Sequence, residues 1–217
     1  MFQIAIYYTV FTRIMVRNEE NFALFLFIGI LIWNLFSEVS KKGMFVLKAS
    51  RYLIENIQFD KIDLFISQTI SVFMGFFFNL TIYLLLAIIL GTPFGLNSLF
   101  IIPVLVTVFL ICIATALILA TSIIFFDDTF HLWEMVLFVG FWASGIIFSV
   151  DVFIENNPIF PYLNPFIGLL GNARAALLNN APPDYYWLVA NFVFAMLFLV
   201  VSHLIFKRHE HLILEKQ

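Results

Sequence analysis

The chain has 217 residues, of which 63% are hydrophobic and only 12% charged, with 29 phenylalanines and a net charge of −3. So little polar material cannot cover a soluble fold of this size, and the charges crowd into short stretches between long uncharged runs, the pattern of a helical membrane protein. No basic block or aromatic-plus-basic constellation points to nucleic acid, and a single cysteine, Cys112, excludes an internal disulfide.

In chain order, Met1 to Val16 is apolar and aromatic, with neither a basic leader region nor a small-residue cleavage pattern. It is expected to be a retained first helix, short and carrying Arg13, rather than a signal peptide. Phe22 to Ser37 is the next uncharged run. Phe45 to Phe59 then places Lys48, Arg51, Glu55 and Gln58 on one helical face and Val46, Ala49, Leu53 and Ile57 on another. This predicts an amphipathic helix outside the membrane, which either lies on lipid headgroups or is gripped by a cytoplasmic partner.

Leu64 to Leu90 and Leu99 to Phe126 are longer than a perpendicular crossing needs, so they should tilt or protrude, with Gly75 and Pro103 as places to bend. Met135 to Val150 and Tyr186 to Phe206 complete the set. The expected architecture is an all-α integral membrane protein of about six transmembrane helices, forming one membrane domain over residues 1–217.

Asp151 to Asp184 holds Pro158, Pro161, Pro165, Pro182 and Pro183. Within it, Asn164-Pro165 predicts a helix start, asparagine as N-cap and proline as first helical residue, before the run Phe166 to Leu178. That run is too short to span. It predicts an external re-entrant half-helix, permissible only where protein or a water-filled path shields its backbone ends.

Orientation follows from lysine and arginine. Lys41, Lys42, Lys48, Arg51 and Lys61 share one connection and Lys207, Arg208 and Lys216 the C-terminal tail. With six spans these fall on the cytoplasmic side, outweighing Arg13, Arg17 and Arg174 outside. Both termini are expected in the cytoplasm.

Apart from Arg13, the predicted spans hold no Asp, Glu, Lys or Arg. An ion-coupled pump normally carries such groups at membrane depth. No G-x-x-x-x-G-K-[ST] loop is present to cradle ATP phosphates. Uphill transport would therefore draw its energy from another subunit. His131 with Glu134, and His209 and His211 around Glu210, fall short of a metal-ligand set.

The order of segments resembles the permease subunit of the ABC-2 transporters, in the branch that exports polysaccharides such as O-antigen, capsule and teichoic acid. Phe25-Leu-Phe-Ile-Gly-Ile-Leu-Ile-Trp33-Asn34-Leu-Phe36-Ser37 resembles that branch's Gly-Leu-x-x-Trp-x-Phe-Phe signature. Ala49-Ser-Arg51-Tyr-Leu-Ile54-Glu55-Asn56-Ile-Gln-Phe59 resembles its cytoplasmic segment before the third span. Phe126-Asp127-Asp128, Asn164-Pro165 and Phe206-Lys207-Arg208-His-Glu210 resemble its Phe-Arg-Asp turn, external Asn-Pro and C-terminal basic-acidic tail.

The resemblance implies a homodimer in the cytoplasmic (inner) membrane of a prokaryote. Two copies of an ABC ATPase subunit would bind beneath it, and a polysaccharide or lipid-linked glycan would pass between the permeases. ATP and Mg would belong to the partner ATPase, with no cofactor on this chain. It implies ATPase coupling through Arg51, Ile54, Glu55, Asn56, Asp127 and Asp128, and a substrate path near Trp33, Asn34, Phe36, Asn164 and Arg174. Asp127 stands where the family has arginine and Asp60 where it has proline, and the family's amphipathic helix before the first span is not read here, as expected of a first helix that is truncated or a start that is assigned late. Export of drugs, lipids or haem by an ABC-2 permease, and a membrane scaffold with no transport path, are the rival readings.

Several of these residues have a plainer role available. Trp33 could anchor its helix in its neighbours rather than stack on a sugar ring. Of Phe73, Phe76, Phe77 and Phe78, which wrap around one helix, most should face lipid. Asp127 and Asp128 could cap the helix beginning near Thr129, Arg51 and Glu55 could be a weak surface pair, and Arg174 could snorkel to lipid phosphate rather than meet an anionic glycan.

Overall fold

The computed structural model describes residues 21–148, 152 and 164–216, with side chains described through 210. The expected helix at Met1 to Val16, with Arg13, Arg17, Pro158 and Pro161, lies outside these. Every regular element among the described residues is helical. In chain order these are α1 Phe22–Met44, α2 Val46–Ala49, α3 Arg51–Asn56, α4 Ile62–Ile89, a 3-10 turn Leu96–Phe100, α5 Ile101–Phe125, α6 Thr129–Ala143, α7 Pro165–Leu177 and α8 Tyr185–Lys216.

Among the described residues α1, α4, α5 with its preceding 3-10 turn, and α8 are long and apolar enough to cross a membrane. Helix α6 is apolar but has 15 residues, which reach roughly 22 Å against a hydrocarbon core of about 30 Å. The span expected at Met135 to Val150 therefore begins earlier than its apolar run and breaks into a turn at 144–148. The chain is a multi-pass helical membrane protein.

Local chemistry sets the helix ends. α1 runs past the expected stop at Ser37 because its charged last turns are paired: Lys42 bonds Glu38 one turn back at 2.7 Å, and Lys41 bonds Glu134 at 3.1 Å. Gly91, at φ 74°, stops α4 in the left-handed conformation that glycine adopts without steric cost, and the Thr92 backbone and hydroxyl both donate to the Ala87 carbonyl. The Asp184 carboxylate caps α8 by accepting from the backbone N–H groups of Tyr186 and Trp187, at 3.0 and 3.2 Å. Pro103 sits in the first turn of α5, where no helical N–H is needed.

The described chain forms two compact units. One takes the described parts of Met1–Asn34, Phe76–Val104 and Phe141–Val189; the other takes Leu35–Gly75, Leu105–Gly140 and Ala190–Gln217. The second is built on Val46, Leu47, Phe65, Ile113, Ala116, Leu117, Ala120 and Phe206, with the Phe65 and Phe206 rings edge to face at 5.3 Å. Gly43 lets α1 approach α5 there, since a Cβ at Gly43 would stand 2.4 Å from that of Ala116. Small residues at such contacts are how helices pack closely in lipid, where the hydrophobic effect gives no drive. Burial is uneven: 72% of the most apolar stretch of α1 is enclosed, against 17% of that of α8. α1 is thus a core element, and the outer face of α8 is left to lipid or a partner chain.

The continuous amphipathic helix expected over Phe45 to Phe59 is corrected. The segment is two short helices, α2 and α3, separated at Ser50. Val46 and Leu47 are drawn into the Phe65–Ala116 cluster, while Tyr52, Leu53 and Ile57 stay exposed, Tyr52 at 77%. Of the expected apolar face Val46, Ala49, Leu53 and Ile57, only Val46 is buried. Of Phe73, Phe76, Phe77 and Phe78 on α4, Phe73 and Phe76 are buried and Phe77 and Phe78 exposed.

Candidate transport and coupling sites

The half-helix expected after Asn164 is α7. The Asn164 side-chain oxygen accepts from the Phe166 N–H at 3.0 Å, and Pro165 fills the first helical position. The Asn164 amide nitrogen donates to the Ala143 carbonyl at 3.0 Å and the Ser144 hydroxyl at 3.1 Å, so one side chain starts α7 and finishes α6. Phe166, Ile167, Leu169, Leu170, Ala173, Ala176 and Leu177 are all buried, which supplies the shielding that a short helix at membrane depth requires. At its far end Asn180 is left-handed at φ 45°, and its carbonyl accepts from the Asn97 amide at 2.8 Å. Asn172 and Asp184 exchange hydrogen bonds at 3.2 and 2.8 Å and bind α7 to the start of α8.

Arg174 does not snorkel, contrary to expectation. It is 5% exposed. Its Nη1 donates to the Gly145 carbonyl and Nη2 to the Ile146 carbonyl, both at 2.7 Å, while Nε and Nη2 reach the Phe25 carbonyl at 3.4 and 3.3 Å. The guanidinium also lies 3.4 Å from the centre of the Phe25 ring. The turn after α6 exposes main-chain carbonyls that lipid cannot satisfy, and a guanidinium with five donors is suited to satisfying them. Local charge sense pointed Arg174 outward; the unpaired carbonyls of a distant turn drew it in.

Of the other expected path residues, Trp33 is 7% exposed, packed edge to face on Phe166 at 5.2 Å and Phe141 at 6.5 Å. Trp33, Asn164 and Arg174 are thus brought to one unit, around α7. Phe36 belongs to the other, against Trp133 at 6.1 Å, and Asn34 is exposed.

In the expected coupling segment, Arg51 Nε donates to Glu55 at 2.6 Å and both side chains are more than half exposed. Asn56 donates back to the Tyr52 carbonyl at 2.7 Å. Beside them lies an open cleft of about 420 Å³, lined by Arg51, Ile54, Glu55, Ile57, Gln58, Phe59 and Lys61. Lys61, one of its lining residues, forms an ion pair with Glu210 on α8. Asp127 and Asp128 are exposed in the turn before α6. The Asp128 backbone carbonyl accepts from the Leu132 N–H, and the Thr129 hydroxyl donates to the Phe126 carbonyl.

No protein-family model matches the chain. A curated relative does: the O-antigen export system permease protein RfbA of Myxococcus xanthus is 26% identical over 206 residues, covering 93% of this chain and 78% of that protein. The resemblance to ABC-2 polysaccharide-export permeases holds. It spans both units and all the helices of crossing length.

In this permease-like chain, residue-by-residue reading missed the Arg174 partners Phe25, Gly145 and Ile146, and the ion pairs Lys41–Glu134 and Lys61–Glu210. A signal for the first was present. Phe25, Gly29 and Trp33 recur every fourth residue and so share a face of α1. The ion pairs join residues 93 and 149 positions apart, beyond any local pattern.

Proposed function

We propose that this chain is the membrane-spanning subunit of an ATP-driven ABC exporter that moves a polysaccharide, carried on a lipid, across the cytoplasmic membrane of a prokaryote. The observation that carries the reading is the similarity to an O-antigen export permease over nearly the whole chain. The chain acts as a homodimer with two copies of an ATPase subunit, which holds ATP and Mg. Both termini face the cytoplasm. α3 and the 127–128 turn meet the ATPase, a role favoured by the exposure of Arg51, Glu55, Asp127 and Asp128 and by the open cleft beside α3. ATP-driven movement there rocks the spans and opens a path beneath α7. The chemistry stays in the partner; this chain shapes the path.

The test is co-purification with a candidate ATPase in nanodiscs, comparing the wild type with an Arg51→Glu, Glu55→Arg double variant that keeps the pair but reverses what a partner meets. A stable complex that the swap weakens about tenfold, roughly 1.4 kcal/mol, upholds both the exporter and the α3 contact. Association of no ATPase under any condition would sink the exporter reading.

A further inference from the structure

In lipid, a seam between helices opens at the cost of the polar bonds that cross it, because apolar surface exchanges neighbours at little loss. One face of α1, carrying Phe25, Gly29 and Trp33, meets α7 and the turn after α6 along such a seam. The bonds Arg174 makes are unequal. Those to Gly145 and Ile146, on its own side, are short at 2.7 Å; those across the seam to Phe25 are long at 3.3 and 3.4 Å. The Phe25 carbonyl lies in the first turn of α1, where it also has a place in the helical i to i+4 ladder, so parting from Arg174 does not orphan it. The carbonyls of Gly145 and Ile146 lie in a non-helical turn and have no such ladder.

Gly29 fits the same design. A Cβ there would stand 2.9 Å from Arg174 Nη2 and 3.3 Å from Ile146 Cγ2, so only a glycine leaves the guanidinium its seat against α1. Trp33, one turn further on, packs its ring across the seam on Phe166.

We propose that Arg174 is the latch of the path: it stays bonded to Gly145 and Ile146, so that α7 and the turn move as one body, and it parts from Phe25 and the face of α1 when the path opens. This rests on the exporter reading for what the opening serves, though the latch itself is a property of this chain. Arg174 is a positioning residue, acting through the half-helix it holds.

The test uses the full chain in liposomes, in a Cys112→Ala background with Ala173→Cys as reporter, Ala173 being fully buried in α7. Labelling by a membrane-impermeant maleimide and efflux of entrapped sucrose are followed together, with thermal unfolding measured in parallel. Arg174→Met should raise both rates at least tenfold, and Arg174→Lys, which keeps the charge and one carbonyl bond, should recover most of the loss. A role in stability alone would lower the melting temperature without opening a sucrose path. Arg174→Met folded and sealed overturns the latch. If that variant does not fold, Gly29→Ala and Phe25→Leu, which disturb only the α1 side, decide: faster labelling in both supports the latch, and wild-type rates in both overturn it. An open Arg174→Met chain that binds no ATPase would keep the latch and remove the exporter; a sealed one that binds ATPase would do the reverse.

Discussion

Single side chains here hold non-local backbone. Asn164 serves α6 and α7 at once, accepting from one and donating to the other. Asn164→Ala should cost about 1–2 kcal/mol, the worth of an N-cap together with one orphaned carbonyl, seen as a fall of a few degrees in the melting temperature in detergent. Asn164→Asp keeps the acceptor and loses the donor, so it should fall between. Equal losses for the two would mean that the cap contributes nothing. The cap was legible because asparagine followed by proline is a local signal. The role of Arg174 was not, because nothing near it in sequence announces the carbonyls of Gly145 and Ile146, 29 and 28 positions away.

Among elements, α1 approaches α5 closely at Gly43 and Ala116 in the second unit. Gly43→Val would drive a branched side chain against Ala116 backbone as well as its methyl, and should destabilise by about 3 kcal/mol or more. Loss of the folded species on size-exclusion chromatography in mild detergent is the readout, and a wild-type profile would show that the helices can separate freely. The pair of Lys61, just before α4, with Glu210 on α8 is partly exposed, its side chains at 14% and 32%. A double-mutant cycle with Lys61→Gln and Glu210→Gln should give a coupling of about 1 kcal/mol, shrinking in high salt. The break at Ser50 also belongs to this scale. Periodicity over Phe45 to Phe59 favoured one helix, but burial of Val46 and Leu47 against α4 and α5 outweighs the few hydrogen bonds that continuity would add.

For the whole molecule, the distribution of lysine and arginine predicts an orientation that single cysteines can read. In a Cys112→Ala background, Leu96→Cys between α4 and α5 should react with an impermeant maleimide in intact cells, and Leu53→Cys in α3 only after the membrane is opened. Both positions are exposed, so reactivity reports sidedness rather than burial. The reverse pattern would invert the protein and rule out the proposed ATPase contact at α3. The sparsely enclosed face of α8 fits a chain that functions beside other chains, and native mass spectrometry of the complex should find two permeases with two ATPase subunits.

The sequence by itself determined the solvent, the apolar segments that enter it, the start of the half-helix and the family resemblance, because each of these is written in composition or in residues a turn or two apart. The tertiary structure decided where α1 ends, that the segment Phe45 to Phe59 breaks at Ser50, and that Arg174 turns inward. Each of those outcomes depends on partners brought close only by packing, such as Glu134 for Lys41 or the turn carbonyls for Arg174. In a membrane, an unpaired polar group has no water to fall back on, so such distant partners override local preference.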